Sequence, residues 1–204
     1  MLNYDETHLV QEIEKLTPQL RVAFAAACAT RLLPAYLAYS GRHEIGSPDT
    51  LRAALDATWR FAREGVLTFD PEQEFERCAA LVPRDDDDEC VNEGFAYAGY
   101  AAESVAYAVG VATSGNARRA MLAANCNYDV LDNHLSYELD IDFNVNRPAA
   151  IATVLGHPLM QAEFARQQRD LRELAAAGSD ATAVVLRVQA RAVEEARAFF
   201  GQDN

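Results

Sequence analysis

The chain has 204 residues, of which 50% are hydrophobic and 24% charged, and its formal net charge at pH 7 is −13. This length suits one domain with its own core, and the composition excludes a disordered or fibrous protein. Because phosphate binding depends on Lys and Arg, 31 acidic against 18 basic residues disfavour nucleic acid as a partner. Charged residues also interrupt every apolar stretch that could span a membrane, and residues 1–8 do not resemble a signal peptide. We therefore expect a cytoplasmic protein that binds neither nucleic acid nor membrane.

Helices are predicted throughout the first half of the chain. Alanine, the best helix former, accounts for 38 of the 204 residues, and alternating strand patterns are nearly absent. The predicted helices cover residues 5–16, 18 onward, 48–65 and 71–83. Pro18, Pro48 and Pro71 each fall at a helix start, where the missing N–H costs nothing, whereas Pro34 must kink or end the second helix.

The second half continues the helical pattern. Predicted helices cover residues 90–113 and 116–138, an irregular stretch covers 139–149, and two helices follow His157-Pro158 with Gly178-Ser179-Asp180 between them. In the first of these two, Met160, Phe164, Gln167, Leu171 and Leu174 recur at spacings of four and three. The sequence therefore predicts an all-α fold, a single-domain bundle of about seven to nine helices over residues 1–204.

The four cysteines predict no disulfide framework. Cys28, Cys78, Cys90 and Cys126 are separated by 50, 12 and 36 residues, without a C-x-x-C or Cys/His cluster. We expect all four thiols to be reduced.

Several segments resemble a known family. They are Ala29-Thr-Arg-Leu-Leu-Pro34-Ala-Tyr36, Leu51-Arg-Ala-Ala-Leu55-Asp-Ala-Thr-Trp59, the Ala/Tyr-rich residues 95–109 and His157-Pro-Leu-Met-Gln-Ala-Glu163-Phe. Together they resemble the YjaG-like family of small all-helical bacterial proteins without an assigned function. The resemblance implies a helical bundle in the bacterial cytosol and implies no reaction.

No sequence motif points to a metal, a cofactor or a nucleophile. Glu-x-x-His pairs, His-Glu-x-x-His, glycine-rich nucleotide motifs and a Gly-x-Ser-x-Gly setting are all missing from the sequence. The densest polar cluster is Asn127-Tyr-Asp129-Val-Leu-Asp132-Asn-His134, with Glu138 one turn beyond. These groups could serve a metal or acid–base chemistry, but a solvated helix face is the favoured interpretation. We expect no catalytic residue, cofactor or metal.

Glu103 is predicted to lie on a face of small residues. It shares that face with Gly99, Ala106 and Gly110, which let helices approach closely. If the face is internal, Glu103 needs a partner such as Arg31. The alternatives are a tuned carboxylate in a pocket and a partly exposed edge.

A tyrosine stripe precedes and follows Glu103. Glu93, Tyr97, Tyr100, Ser104 and Tyr107 recur at spacings of four and three. Such a stripe is typical of a protein-binding surface, because tyrosine brings contact area at low entropic cost. The alternative is that these rings pack in the core.

Acidic residues are concentrated in residues 69–93. This segment holds ten acidic residues against Arg77 and Arg84. The run Asp85 to Glu89 lacks the glycine of an EF-hand, which disfavours calcium. It is either a solubilising loop or a surface for a cationic partner, since five adjacent carboxylates repel one another.

The sequence thus favours a non-enzymatic acidic binding protein over an enzyme. Its most specific form is an immunity protein that neutralises a bacterial toxin by occluding the basic active-site cleft of that toxin. The alternatives are an unassigned housekeeping role of the YjaG-like kind and a carboxylate-dependent enzyme. The predicted partner-binding residues are Asp85, Asp86, Asp87, Asp88, Glu89, Glu93, Tyr97, Tyr100, Glu138, Asp140 and Asp142.

Overall fold

The computed structural model describes residues 4–83 and 94–200, the last three of these by their backbone alone. This part of the chain forms α-helices and one 3₁₀ turn, Gly178–Asp180, and contains no strand. The helices are α1 (Glu6–Glu14), α2 (Pro18–His43), α3 (Pro48–Glu64), α4 (Pro71–Ala79), α5 (Phe95–Ser114), α6 (Ala117–Glu138), α7 (Arg147–Gly156), α8 (Pro158–Ala175) and α9 (Ala181–Phe200). The predicted all-α fold class is confirmed.

Most helices begin where the sequence predicts. The side chains of Asp5, Thr17, Asp70 and Asn116 accept hydrogen bonds from backbone N–H groups in the first turns of α1, α2, α4 and α6. Each cap satisfies a donor that has no partner inside its own helix. Proline occupies the first turn of α2, α3, α4 and α8, as its fixed φ angle favours.

Pro34 does not end the second helix. α2 continues past it for nine residues, to His43. Four of the residues that follow the proline on α2 are buried: Ala35, Tyr36, Tyr39 and Ser40. Their burial offsets the hydrogen bond that a proline removes inside a helix.

α2 is the central helix of the bundle. It packs against α3, α5, α6, α8 and α9. Five of its alanines are fully buried, and they allow neighbouring backbones to come close: Ala23, Ala25, Ala26, Ala27 and Ala29. The indole Nε1 of Trp59 on α3 donates to Thr30 Oγ1 at 3.0 Å, so the one tryptophan is both buried and satisfied.

Contrary to the expectation from the sequence, α2 is long and apolar enough to cross a membrane by length and composition, and it is the one such helix in the described ranges. In the structure, 78% of its most apolar window is buried inside the bundle. A mostly buried helix of this kind is the core helix of the fold.

The helix over residues 147–156 is missing from the sequence-based prediction, which places an irregular stretch at 139–149. α7 begins after Asn146, whose side chain accepts from Ala149 N at 3.3 Å. Only Ala150 and Val154 of this helix are buried, so its apolar pattern is too weak to predict a helix from the sequence. Val154 belongs to a small second core with four other buried residues, Leu131, Leu135, Met160 and Phe164.

Three smaller predictions concern helix ends and thiols. α4 ends at Ala79, one turn before the predicted end at Pro83. α5 begins at Phe95 within the described residues, and the predicted start at 90 lies outside them. Cys28, Cys78 and Cys126 are buried free thiols, while Cys90 lies outside the described residues. The reduced state of all four thiols stays a prediction.

Candidate functional site

α5 and α6 form an antiparallel hairpin that carries the candidate site. Gly115 ends α5 with φ 61°, and the Asn116 side chain then caps α6 by accepting from Arg118 N at 2.8 Å. The start of α5 therefore lies beside the end of α6. Tyr97 and His134 show this directly, because their rings meet edge to face with centroids 6.3 Å apart.

Four carboxylates from three helices form the core of the site. They are Glu103 on α5, Asp129 and Asp132 on α6, and Glu6 on α1, which is joined to α6 by a 3.1 Å hydrogen bond from Asn125 Nδ2 to Glu6 Oε1. Glu103, Asp129 and Asp132 are half-buried, and within residues 4–83 and 94–200 none of the three forms an ion pair. Negative charge is thus gathered here without a compensating base.

The electrostatics follow from this arrangement. Burial, with the added repulsion of Asp132, Glu103 and Glu6, raises the pKa of Asp129 to about 6. Burial also raises the pKa of Glu103 and that of Asp132. With a pKa of about 6, Asp129 is mostly ionised at neutral pH, so the site holds charge that the surrounding protein disfavours.

Two tyrosines flank the carboxylates. Tyr100 and Tyr107 are half-buried, and burial together with the neighbouring carboxylates raises the pKa of each hydroxyl. Asn133 Nδ2 donates to the Tyr100 hydroxyl at 3.5 Å. We call this surface the acidic face; its residues are Glu6, Tyr100, Glu103, Tyr107, Asp129 and Asp132.

The tyrosine stripe fits both sequence-based interpretations in part. Ser104 is fully buried, and its hydroxyl donates to Ala123 O at 3.0 Å, so that position belongs to the core. Tyr97, Tyr100 and Tyr107 pack against the core by one side and remain partly open on the other. Glu93 lies outside the described residues.

The suggested pairing of Glu103 with Arg31 is wrong. Arg31 is 5% exposed and donates to Asp170 Oδ2 at 2.8 Å, with Glu163 Oε1 at 3.4 Å and Glu195 Oε2 at 3.5 Å. These carboxylates lie on α8 and α9. Arg31 therefore faces a different side of α2 from the one that α5 covers, a relation that the sequence does not encode locally.

The remaining predicted partner residues divide into two groups. Asp85, Asp86, Asp87, Asp88 and Glu89 lie outside the described residues. Glu138, Asp140 and Asp142 are exposed at the end of α6, and the Glu138 carboxylate lies 3.4 Å from His134 Nε2. Since Tyr97 contacts His134, this strip lies at the same end of the bundle as the start of α5. Partner binding by these residues stays a prediction.

Metal and pocket interpretations find little support at the acidic face. In the described part of the chain, no group of three or more His, Cys, Asp or Glu residues could hold a metal ion. A cleft of about 320 Å³ does exist, but residues of α1 and α8 line it and none of the acidic-face carboxylates does so. The sequence-based reasoning missed this cleft, because its polar residues are distant in sequence and form no motif.

The comparisons with known proteins agree on a helical family. A model of the family described as "Protein of unknown function (DUF416)" matches residues 8–198. The crystal structure of a DUF416 family protein from Shewanella baltica OS155 superposes with a TM-score of 0.79 at 20% sequence identity, over 91% of this chain and 93% of that one. This similarity shows the shared fold. No curated protein matches the chain.

Proposed function

The chain belongs to the DUF416 family of proteins of unknown function, and we propose that it is a non-enzymatic acidic protein that binds a basic partner protein. The uncompensated carboxylates of the acidic face are the observation that supports this proposal. Placing ionised Glu103, Asp129 and Asp132 in a half-buried patch costs stability, and the described residues supply no base to offset it. A guanidinium or ammonium group from a partner would supply that charge.

The tyrosines fit the same role. Partly open aromatic rings beside charged groups provide apolar contact area and a hydroxyl for hydrogen bonding. Tyr100 and Tyr107 would cover the partner's alkyl stems while Glu103 and Asp129 contact its charged ends. Tyr97 extends this surface toward Glu138 at the end of α6.

Charge is distributed unevenly over the helices. The last two helices carry five acidic and six basic residues, many of them joined in ion pairs such as Asp170–Arg191 at 2.7 Å. In contrast, residues 120–146 contain five acidic residues and no Lys or Arg. A one-sided negative field accelerates encounter with a positively charged partner.

The most specific form of the proposal is a cytoplasmic immunity protein. Toxins that act on nucleic acids or nucleotides need cationic clefts, and a rigid acidic bundle complements such a cleft. An unassigned housekeeping role of the YjaG-like kind is the alternative. A gene directly beside that of a toxin would favour immunity, whereas a solitary locus would favour the alternative.

The test uses the purified product of the neighbouring toxin gene and measures association by stopped flow at several salt concentrations. The variant Glu103→Gln/Asp129→Asn/Asp132→Asn should associate about tenfold more slowly and with a weaker salt dependence. Its matched control is Asp56→Asn/Glu64→Gln/Glu72→Gln, which removes the same charge from exposed positions on α3 and α4. If both triple variants slow association equally, only net charge matters and the acidic face is not the contact.

The acidic run is tested separately. Replacing Asp85, Asp86, Asp87 and Asp88 with Asn and Glu89 with Gln should lower the association rate, and should also speed dissociation if the run enters the partner's active site. Unchanged rates in a folded variant would show that this run is a solvated loop.

A carboxylate-dependent enzyme is the second candidate, and one observation favours it. A pKa of about 6 suits Asp129 to accept or donate a proton near neutral pH. Under this alternative, Asp129→Asn would abolish turnover of a substrate but leave partner binding unchanged. The binding proposal instead expects Asp129→Asn to weaken binding of the partner.

A further inference from the structure

A cleft of about 320 Å³ lies between α1 and α8, beside the acidic face but lined by none of its carboxylates. Both helices pack on α6, so α6 carries them side by side and the cleft is the space between them. Glu6 Oε1 on α1 accepts a hydrogen bond from Asn125 Nδ2 on α6 at 3.1 Å. Gln167 Nε2 on α8 donates a hydrogen bond to Ala124 O on α6 at 3.3 Å. These bonds fix both walls, so the cleft is part of the folded structure.

Aromatic rings form part of the lining of the cleft. Tyr4 stacks on Phe164 with ring centroids 5.5 Å apart and an interplanar angle of 20°, and on Tyr128 at 4.8 Å and 14°. Tyr4 and Phe164 both line the cleft. The Tyr4 hydroxyl is buried and has no hydrogen-bond partner in the described ranges, a costly state for a polar group. The faces of these rings are apolar and suit a flat aromatic ring.

The rest of the lining consists of Leu9, Leu171 and polar groups of both signs. Arg172 donates through Nε to Gln168 O at 3.1 Å, and its guanidinium forms no ion pair among residues 4–83 and 94–200. Asp5, which caps α1, and Glu12 on α1 bring carboxylates. Gln167 is only 3% exposed, and its two hydrogen bonds are both donated by Nε2, so Oε1 remains an acceptor.

We propose that this cleft binds a small aromatic zwitterion of the amino-acid class. The ring would lie against Tyr4 and Phe164, and the carboxylate would pair with Arg172, whose planar fork suits a carboxylate. The ammonium group would be held by Asp5 and the Oε1 atom of Gln167. A neutral aromatic molecule would leave Arg172 without an ion-pair partner. An aliphatic amino acid would place no ring against Tyr4 and Phe164.

The experiment uses the full chain and four probes, with saturation-transfer NMR to detect contact and calorimetry to measure affinity. L-phenylalanine should bind with a Kd on the order of 1 mM or tighter. Phenethylamine lacks the carboxylate, 3-phenylpropionate lacks the ammonium group and L-leucine lacks the ring. Each of these should bind about tenfold more weakly.

Two variants and one control variant assign the site. Arg172→Gln should weaken L-phenylalanine and 3-phenylpropionate about tenfold and leave phenethylamine unchanged, while Arg118→Gln, an exposed arginine on α6, should change nothing. Gln168→Trp, at an exposed position of the lining, should fill the cleft and abolish saturation transfer from L-phenylalanine. The proposal is overturned if none of the probes binds, or if both arginine variants bind L-phenylalanine like the natural chain.

Discussion

Asp129 is a carboxylate whose behaviour is set by its surroundings. Its pKa is raised to about 6 by burial first and by Asp132, Glu103 and Glu6 in addition. Aspartate in an unfolded chain titrates near 4. The folded state therefore holds its proton more tightly, and the contribution of Asp129 to stability falls as the pH rises from about 4 through about 6.

We predict that Asp129→Asn stabilises the protein at neutral pH. After allowance for solvent screening the gain should be about 1–2 kcal/mol at pH 8 and should shrink as the pH approaches 5. Urea unfolding of both proteins across this range measures it, and carboxyl NMR gives the pKa directly. In Asp132→Asn the pKa of Asp129 should move down, because a like charge is gone. A pKa of Asp129 near 4 in the natural chain would contradict this account.

Arg31 is the opposite case, a buried charge with many partners. Asp170, Glu163 and Glu195 surround its guanidinium, and Arg169 and Arg191 contact the far side of Asp170 at 3.5 and 2.7 Å. The network joins α2 to α8 and α9. Burial and pairing of this kind make the loss of one partner expensive, because the others stay buried without compensation.

Arg31→Met should therefore destabilise the fold by about 3–5 kcal/mol. Arg52→Met is the control, since Arg52 pairs with Asp49 at 3.1 Å on the exposed surface of α3 and should cost less than about 1 kcal/mol. Chemical unfolding followed by circular dichroism compares the two. Equal losses in both variants would mean that the buried network adds no specific stability.

At the scale of the helices, the sequence predicts where helices begin from capping residues and prolines. It does not predict where packing against other helices stabilises a helix. Pro18, Pro48, Pro71 and Pro158 mark helix starts by local chemistry alone. Pro34 would break an isolated helix by the same chemistry. It does not do so here because buried residues follow it on α2, and burial against other helices is invisible to a local pattern.

α7 gives a prediction at this scale, because it buries little and depends on its cap. Asn146→Ala removes the acceptor for Ala149 N and should cost α7 about 1 kcal/mol. Hydrogen exchange should then quicken about fivefold in α7 and stay unchanged in α2. Asn144→Ala is a control in the preceding loop, because the backbone N–H of Asn144, which the substitution keeps, donates to Asp142 Oδ1 at 2.8 Å. If exchange in α7 stays the same, packing on α8 holds the helix without its cap.

At the scale of the molecule, the sequence was sufficient for the fold class and insufficient for the site. Periodic apolar residues and a high alanine content indicate helices, because both are local properties of the sequence that extend over a few helical turns. The acidic face joins Glu6, Glu103 and Asp129 across more than 120 positions of sequence. The residues lining the cleft between α1 and α8 are more widely separated still. Such groupings arise from helix packing, which no single spacing records.

The whole-molecule charge pattern leads to a prediction about salt. The acidic face concentrates repulsion, so Glu103→Gln/Asp129→Asn/Asp132→Asn should raise the unfolding midpoint at low ionic strength. Asp56→Asn/Glu64→Gln/Glu72→Gln removes as much charge from scattered exposed sites and should raise it less. The difference in unfolding midpoint between the two variants should decrease as the salt concentration rises from about 0.01 to about 0.3 M, since salt screens the repulsion between exposed charges.

Thermal unfolding at these two salt concentrations measures this difference. A triple variant of the acidic face that is more stable but associates more slowly with the partner would show that the natural chain gives up stability at a binding surface. Equal midpoints for the two triple variants at low salt would show instead that these carboxylates are fully solvated. In that case they would carry no stored repulsion for a cationic partner to relieve.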